Sequence, residues 1–207
     1  MPDFPFDTVG LTSEQIDNFQ ETYTALKSKF NIQQTGDIDF HLEDFEMFKK
    51  YFAVNLRDSF LVKHSNCSSY ILFIENHIKT IVTRGAGLAD HYECQICALA
   101  YLKRNLGRVL IRPETLADKL IELIHPIEID FKEDKAFSDT FYVVANDYEK
   151  AIAGIDRNLR NAIMDVREDD FIIEIADHTL IIGSKKPISA QRSVHLAEFV
   201  ARVASMC

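Results

Sequence analysis

The sequence predicts an α+β protein in which an antiparallel sheet is covered by helices. Three observations lead there. Apolar residues recur at helical spacing near both ends, at Ile16, Phe19, Tyr23, Leu26 and Phe30, and again at Val194, Ala197, Val200, Ala201 and Ala204. Short β-branched and aromatic runs lie between them, among them Phe60-Leu61-Val62, Tyr70 to Ile74 and Phe171 to Ala176. The 207 residues are 47% apolar and 27% charged with only 7 Gly and 5 Pro, a composition that folds and is neither disordered nor a linker.

Thr12-Ser13-Glu14-Gln15 has the chemistry of a capping box and opens a helix from Thr12 to Phe30. Its 3, 4, 3, 4 seam could pack on its own domain or on a second copy, so a homodimer is one expected assembly. The Phe-dense stretch Phe40 to Phe52 ends in a second helix through Phe45, Phe48 and Phe52. Phe60 to Val62, Tyr70 to Ile74 and Ile78 to Thr83 read as an antiparallel meander, with Asn76-His77 turning between the last two runs. Arg84 to Leu88 is a loop, and Asp90 caps a helix to Arg104 that Asn105 and Gly107 end. Val109 to Ile111 is a strand, and Arg112-Pro113-Glu114 starts a helix that stops at His125-Pro126. Ile127 to Phe131 and Thr140 to Ala145 are extended, and one helix is expected from Tyr148 to Val166. A hairpin around Asp177-His178 and a helix capped by Ser189 close the chain.

The order of elements divides the chain into an N-terminal helical segment, 1–35, and one α+β domain, 36–207. Ile38-Asp39-Phe40 recurs as Ile129-Asp130-Phe131, and the run ending Asn76-His77 recurs as the one ending Asp177-His178. The domain therefore divides further into two half-units, 36–107 and 108–207, if the recurrence is an internal duplication.

Arg112-Pro113-Glu114, Ile129-Asp130-Phe131 and Phe137-Ser138-Asp139-Thr140-Phe141-Tyr142-Val143, with the Asn146-Asp147 turn, carry a resemblance. From Val109 to Ser205 the chain resembles the C-terminal half of a widespread family of bacterial proteins of unknown function. The family's first Asp is Glu128 here, and residues 1–58 show no match. The resemblance implies an α+β fold and carries no activity, cofactor or site residue.

The chemistry-bearing residues are few. His91, Cys94 and Cys97 fall within one arc of about 120° on the expected helix, the ligand types of zinc and the spacing of a thiol pair. The same arc continues through Ala98 and Tyr101, and cysteine is among the residues most often buried, so the set reads as core cysteines, with a redox pair or a metal site as the alternatives. No fourth ligand, second CxxC or HExxH accompanies them. His77 and His178 are expected at solvated turns, and Asp177 is poorly placed to orient its own neighbour in an extended segment. Gly85-Ala86-Gly87 with Arg84 precedes the expected helix but lacks a dinucleotide or P-loop signature, and Asp90 at the cap would repel phosphate. Arg167-Glu168-Asp169-Asp170 and Glu128-Asp130-Glu133-Asp134 lack the alternation and turn glycine of a calcium loop. No catalytic, cofactor-binding or metal residue is assigned, and no cofactor is expected.

The net charge of −9 disfavours nucleic acid. It is uneven: residues 1–58 hold 11 acids against 5 bases, 59–126 hold 6 against 8, and 127–207 hold 15 against 10. Uncharged stretches reach only about ten residues, short of the ~20 a membrane-spanning helix needs, so no membrane association is expected. Four unevenly spaced cysteines and the absence of a signal sequence point to a reducing cytoplasm. The expected function is a protein-interaction or assembly module for a basic or mixed-charge protein partner, with the aromatic-rich N-terminal region as contact surface. The alternative is a small-molecule hydrolase or transferase with a site between the half-units, near His77, His178 or Cys94 and Cys97.

Overall fold

A computed structural model describes residues 4–63, 68–82, 87–114, 126–166, 169–184 and 186–206. Helix α1 spans Ser13–Lys29 and starts on the capping box the sequence contains: the Gln15 N–H donates to Thr12 Oγ1 at 3.3 Å, and Gln15 Oε1 accepts from the Thr12 N–H at 2.8 Å. A short strand β1, Ile32–Gln34, follows. Phe40 to Phe52 forms less helix than its spacing suggests, a 3₁₀ turn Leu42–Asp44 and a single-turn α2, Glu46–Lys49.

Strands β2 (Ala53–Lys63), β3 (Ser68–Val82) and β4 (Gly87–Tyr101) make the meander. Two expectations fail here. Asn76-His77 is no turn but lies within the 15-residue β3, and Asp90 to Tyr101 is strand instead of helix. The segment alternates: Tyr92, Cys94, Ile96, Ala98 and Ala100 share one face and His91, Glu93, Gln95 and Cys97 the other, so sheet pairing overrides the helix propensity of Glu, Gln and Ala.

Strand β5, Arg108–Pro113, includes the Arg-Pro that sequence chemistry assigned to a helix start. The rest of that expected helix, 115–125, lies outside the described residues, as do Arg84-Gly85-Ala86 and Arg167-Glu168. Next come β6 (Ile127–Glu128), α3 (Lys135–Ser138) and β7 (Phe141–Ala145). The expected helix 148–166 is two, α4 (Tyr148–Gly154) and α5 (Arg157–Met164). Asp156 caps α5 by accepting from the N–H groups of Asn158 and Leu159, and Gly154 approaches Leu106 so closely that a Cβ would sit 2.3 Å from its Cγ. Strands β8 (Phe171–Ala176) and β9 (Thr179–Ser184) form the expected hairpin, and α6, Ala190–Ser205, follows Ser189.

The nine strands of the described residues join one antiparallel sheet in the order β1-β2-β3-β4-β9-β8-β5-β7-β6. One face, the helical face, holds the main core: Phe19 and Leu26 of α1, Phe137, Ala151, Leu159 and the apolar side of α6 cover Phe60, Phe73, Ile96, Phe171 and Ile182. Phe19 stacks on Phe73 at 4.8 Å. The seam of α1 is thus taken up inside the protein's own core. The second face carries a smaller cluster in which Phe40, Phe45, Met47 and Phe48 cover Leu72, Ile74, Cys97, Leu99 and Ile181. Buried Glu174 of β8 anchors that cover by accepting from the N–H groups of Glu46 (2.8 Å) and Met47 (3.0 Å), with Arg108 3.6 Å away. Burial pushes its carboxyl pKa up, and those two N–H groups oppose the rise.

At the recurring motifs the local structure differs. Asn76-His77 is mid-strand where Asp177-His178 is a turn, and Phe40 belongs to the second-face cluster while Phe131 belongs to the main core.

Candidate functional site

The β3–β4 pair outruns its neighbours. β2 starts at Ala53, opposite His77, and β9 reaches β4 only at Cys97, so the two strands continue as a two-stranded arm ending at the pair Val82 and Gly87. Where the arm leaves the core, apolar pairs give way to a buried ion pair. Arg57 donates to Glu75 Oε2 at 2.5 Å, to Asp7 Oδ2 at 2.9 Å and to the Val9 carbonyl at 2.9 Å. Glu75 is 3% exposed. A bulge between Leu56 and Asp58 turns Arg57 into this position, and its guanidinium ties the N-terminal segment to β2. Asp7 is held below the usual carboxylate range, first by the Val9 N–H and then, against a smaller desolvation, by Arg57.

Beyond that layer an aromatic shelf lies open on the helical face. His77 and Tyr92, cross-strand neighbours, stack at 4.5 Å with planes 10° apart. Phe52 meets His77 edge-on at 5.0 Å, and Lys79 Nζ sits 3.4 Å from the Phe52 ring centroid. His77 Nε2 contacts Asp90 Oδ1 at 2.7 Å. Two of the rings stay in water, Phe52 at 63% exposed and Tyr92 at 45%, while His77 between them is largely covered, and Leu88, further along the same face, is 64% exposed. Aromatic and aliphatic side chains held by stacking and a ladder at their base lose little freedom when a partner covers them.

The residues singled out from sequence scatter. On a strand, Cys94 points to the helical face and His91 and Cys97 to the other, which separates the set a helix would have gathered. His91 pairs with Glu93 at 3.4 Å in solvent, while Cys97 is fully buried in the second-face cluster. Burial, then Glu75, pushes the Cys94 thiol up to about 12, and burial pushes Cys97 higher still, so neither is a ready thiolate. His178 sits at the β8–β9 turn, its Nδ1 3.2 Å from the Leu102 carbonyl, and Asp177 Oδ1 accepts from Asn105. That turn clamps the 102–107 connection, which Gly107 completes at φ +68°. Tyr92 and Tyr101, the cross-strand partners of His77 and of Thr179 beside His178, are nine residues apart on β4, about 30 Å of strand, so the two histidines share no site.

Of Glu128-Asp130-Glu133-Asp134, Asp134 and Glu133 serve buried Arg160, at 2.8 and 3.4 Å, and Asp134 also accepts from the Phe137 N–H. Asp169 pairs with Lys186, and Asp170 accepts from Ser184 Oγ at 3.0 Å. Sequence reading passed over Asp39, His41 and Glu43, whose ligand atoms lie within 4.8 Å of one another. All three are exposed, and Asp39 Oδ1 already accepts from the His41 N–H at 2.8 Å, an arrangement that serves the turn at φ +50°. A cavity of about 440 Å³ between α5 and α6 is lined by Asp165, His195, Glu198 and Arg202, and one of about 510 Å³ beside the β2 bulge by Asp37, Asp39, Arg57 and Asp58. Neither includes His77, His178, Cys94 or Cys97.

Sequence reading also missed the shelf. Among the phenylalanines from Phe4 to Phe52, only Phe52 is largely exposed, so most of the expected aromatic contact surface is core.

No protein-family model and no curated protein matches the chain. Among solved structures, the crystal structure of the mycobacterial trehalose monomycolate transport factor A, TtfA, is similar at a TM-score of 0.57 and 10% identity, over 91% of this chain and 93% of that one. At that identity the likeness is one of fold, a sheet-and-helix architecture shared along nearly the whole chain.

Proposed function

We propose that the chain is a non-enzymatic protein-interaction or assembly module that engages a mixed-charge protein partner through the shelf of Phe52, His77, Lys79, Asp90 and Tyr92. The observation that carries this reading is the stacked His77–Tyr92 pair with Phe52 against its edge, three rings fixed by one another while two of them remain about half exposed or more. Aromatic anchors ringed by polar groups are the residues that dominate protein interfaces. Lys79 and Asp90 supply both signs of charge at the rim. The free thiols of Cys94 and Cys97 suit a reducing compartment such as the cytoplasm. No helix among the described residues is long and apolar enough to cross a membrane. The fold likeness to TtfA supplies a scaffold, and the trehalose monomycolate transport in that protein's name is not carried over to this chain.

The hydrolase or transferase reading retains one observation, the His77–Asp90 contact at 2.7 Å, which is the geometry of an oriented base. It asks for a site between half-units, and the other groups it named lie elsewhere. Site-specific photo-crosslinking separates the readings. A photoreactive phenylalanine analogue at position 92 should give a discrete protein adduct in cells that naturally make the chain, and the same analogue at exposed Tyr148 should not. Equal adducts at both positions, or none at 92, would sink the shelf.

A further inference from the structure

A groove of about 280 Å³ opens at the step where β2 begins and the β3–β4 pair runs on, between the 3₁₀ turn, α2 and the first residues of β2. Leu42, Phe48, Tyr51, Phe52 and Val54 give it apolar and aromatic walls, and all but Phe48 are at least partly exposed. Phe52 belongs to the groove and to the shelf, so the two surfaces adjoin. We propose that this groove takes one large apolar side chain from an acidic segment of the protein partner. The proposal deepens the shelf reading and rests on it, because Phe52 is a wall of both.

Charge selects the acidic segment, against the sign of the chain as a whole. Lys49 lines the groove and is bridged to Glu46. Lys50 Nζ lies 4.6 Å from the Tyr51 ring centroid and Lys79 Nζ 3.4 Å from that of Phe52. These two lysines rest on rings, and among the described residues no carboxylate comes within ion-pair distance of either. Burial lowers the Lys50 pKa and the field of Glu93 opposes that only in part, so a carboxylate brought alongside would favour its charged form. The neighbouring acids have partners of their own. Glu43, in the lining, has His41 3.8 Å away, Asp90 contacts His77 at 2.7 Å, and Glu93 lies 3.4 Å from His91. What is left without a counter-charge beside the two rings is therefore positive. An apolar side chain flanked by carboxylates meets both needs, filling the groove while its neighbours reach Lys50 and Lys79, whereas a basic segment would set like charges together.

An NMR titration of the full chain with acetyl-Asp-Asp-Phe-Asp-Asp-amide tests this. Saturable amide shifts should gather in 42–54 and 77–79, with Kd below about 1 mM. Glycine in place of the peptide's phenylalanine should weaken binding about tenfold or more, and lysine in place of its aspartates should abolish it. Lys50→Gln with Lys79→Gln should weaken binding about tenfold, while Lys132→Gln with Lys135→Gln, two exposed lysines outside the groove, makes the same change of net charge and should leave it within about twofold. Circular dichroism matching the parent confirms that each variant is folded. The absence of saturable shifts, shifts centred elsewhere, an equally tight glycine peptide or an equal loss in the control pair would overturn the proposal. So would shifts in 42–54 that grow with protein concentration alone, which would give the groove to a second copy. Peptide failure with the adduct at position 92 still formed removes the acidic anchor and leaves the shelf, whereas absence of that adduct takes the shelf and this inference with it.

Discussion

β3 and β4 form one hairpin with two characters. From Ser69 opposite Ala100 to Ile74 opposite Gln95, side chains on both faces are covered: Ile71 and Phe73 under the helices, Leu72 and Ile74 under the Phe-rich turn. From Glu75 opposite Cys94 outward, the same ladder continues while apolar packing gives way, first to buried Glu75 and Asn76 with the Arg57 ion pair, then to an open ring stack and a Lys–aromatic contact. Register does not change at the crossing. The comparison shows that strand continuity comes from the backbone ladder, whereas stability comes from what lies over each face, and the two can be separated within a single element.

Three substitutions along β3 and β4 measure that separation. Phe73→Ala, in the covered half, removes a fully buried ring that touches Phe6, Phe19 and Phe60, and should lower the stability of the whole chain by about 3–5 kcal/mol in urea unfolding. Glu75→Gln, at the crossing, leaves the Arg57 guanidinium without its buried carboxylate and should cost about 2 kcal/mol by the same measurement. Tyr92→Ala, on the shelf, removes one stacked ring and should cost about 1 kcal/mol or less. Amide exchange sharpens the last case: Tyr92→Ala should speed exchange in 76–80 and 88–93 while 71–74 still exchanges only through global unfolding. A Tyr92→Ala loss as large as that of Phe73→Ala would erase the distinction between the halves.

The legible parts of the fold were those whose signals are local. Thr12 with Gln15 and the Asp177-His178 turn between two β-branched runs each carry their own start or stop and are where the sequence placed them, and the last helix does begin after Ser189, although that side chain makes no capping bond. β4 was misjudged because His91 to Ala98 satisfies both periods: Cys94, Cys97, Ala98 and Tyr101 make a helical stripe, and Tyr92, Cys94, Ile96 and Ala98 alternate as a strand. Only the neighbouring β3 and β9 decide between them. The break in α4–α5 was written in Gly154 and Asp156, whereas a sustained stripe from Tyr148 to Ile163 masked it. Asn76-His77 looked like a turn because polar residues interrupt an apolar run, and the cause is that the strand leaves its core there. The shelf was illegible for the same reason, since exposure of Phe52 and Tyr92 depends on where the helices end.

The strand order also fixes a sequence of events in time. Chains are made from the N-terminus, and β4 is joined to β8, β5, β7 and β6 through β9, which comes after all of them in chain order. Until residues 179–184 are available, the whole 15-residue outer edge of β4 is unpaired, the carboxylate of Glu174 has only just arrived to hold α2, and α6 has yet to cover the main core. The nascent protein therefore passes through a long stage as a partly covered meander, the species most prone to pair with its neighbours. The β8–β9 hairpin and α6 complete the sheet and its cover once they are made, and the speed with which they dock sets how long that hazard lasts.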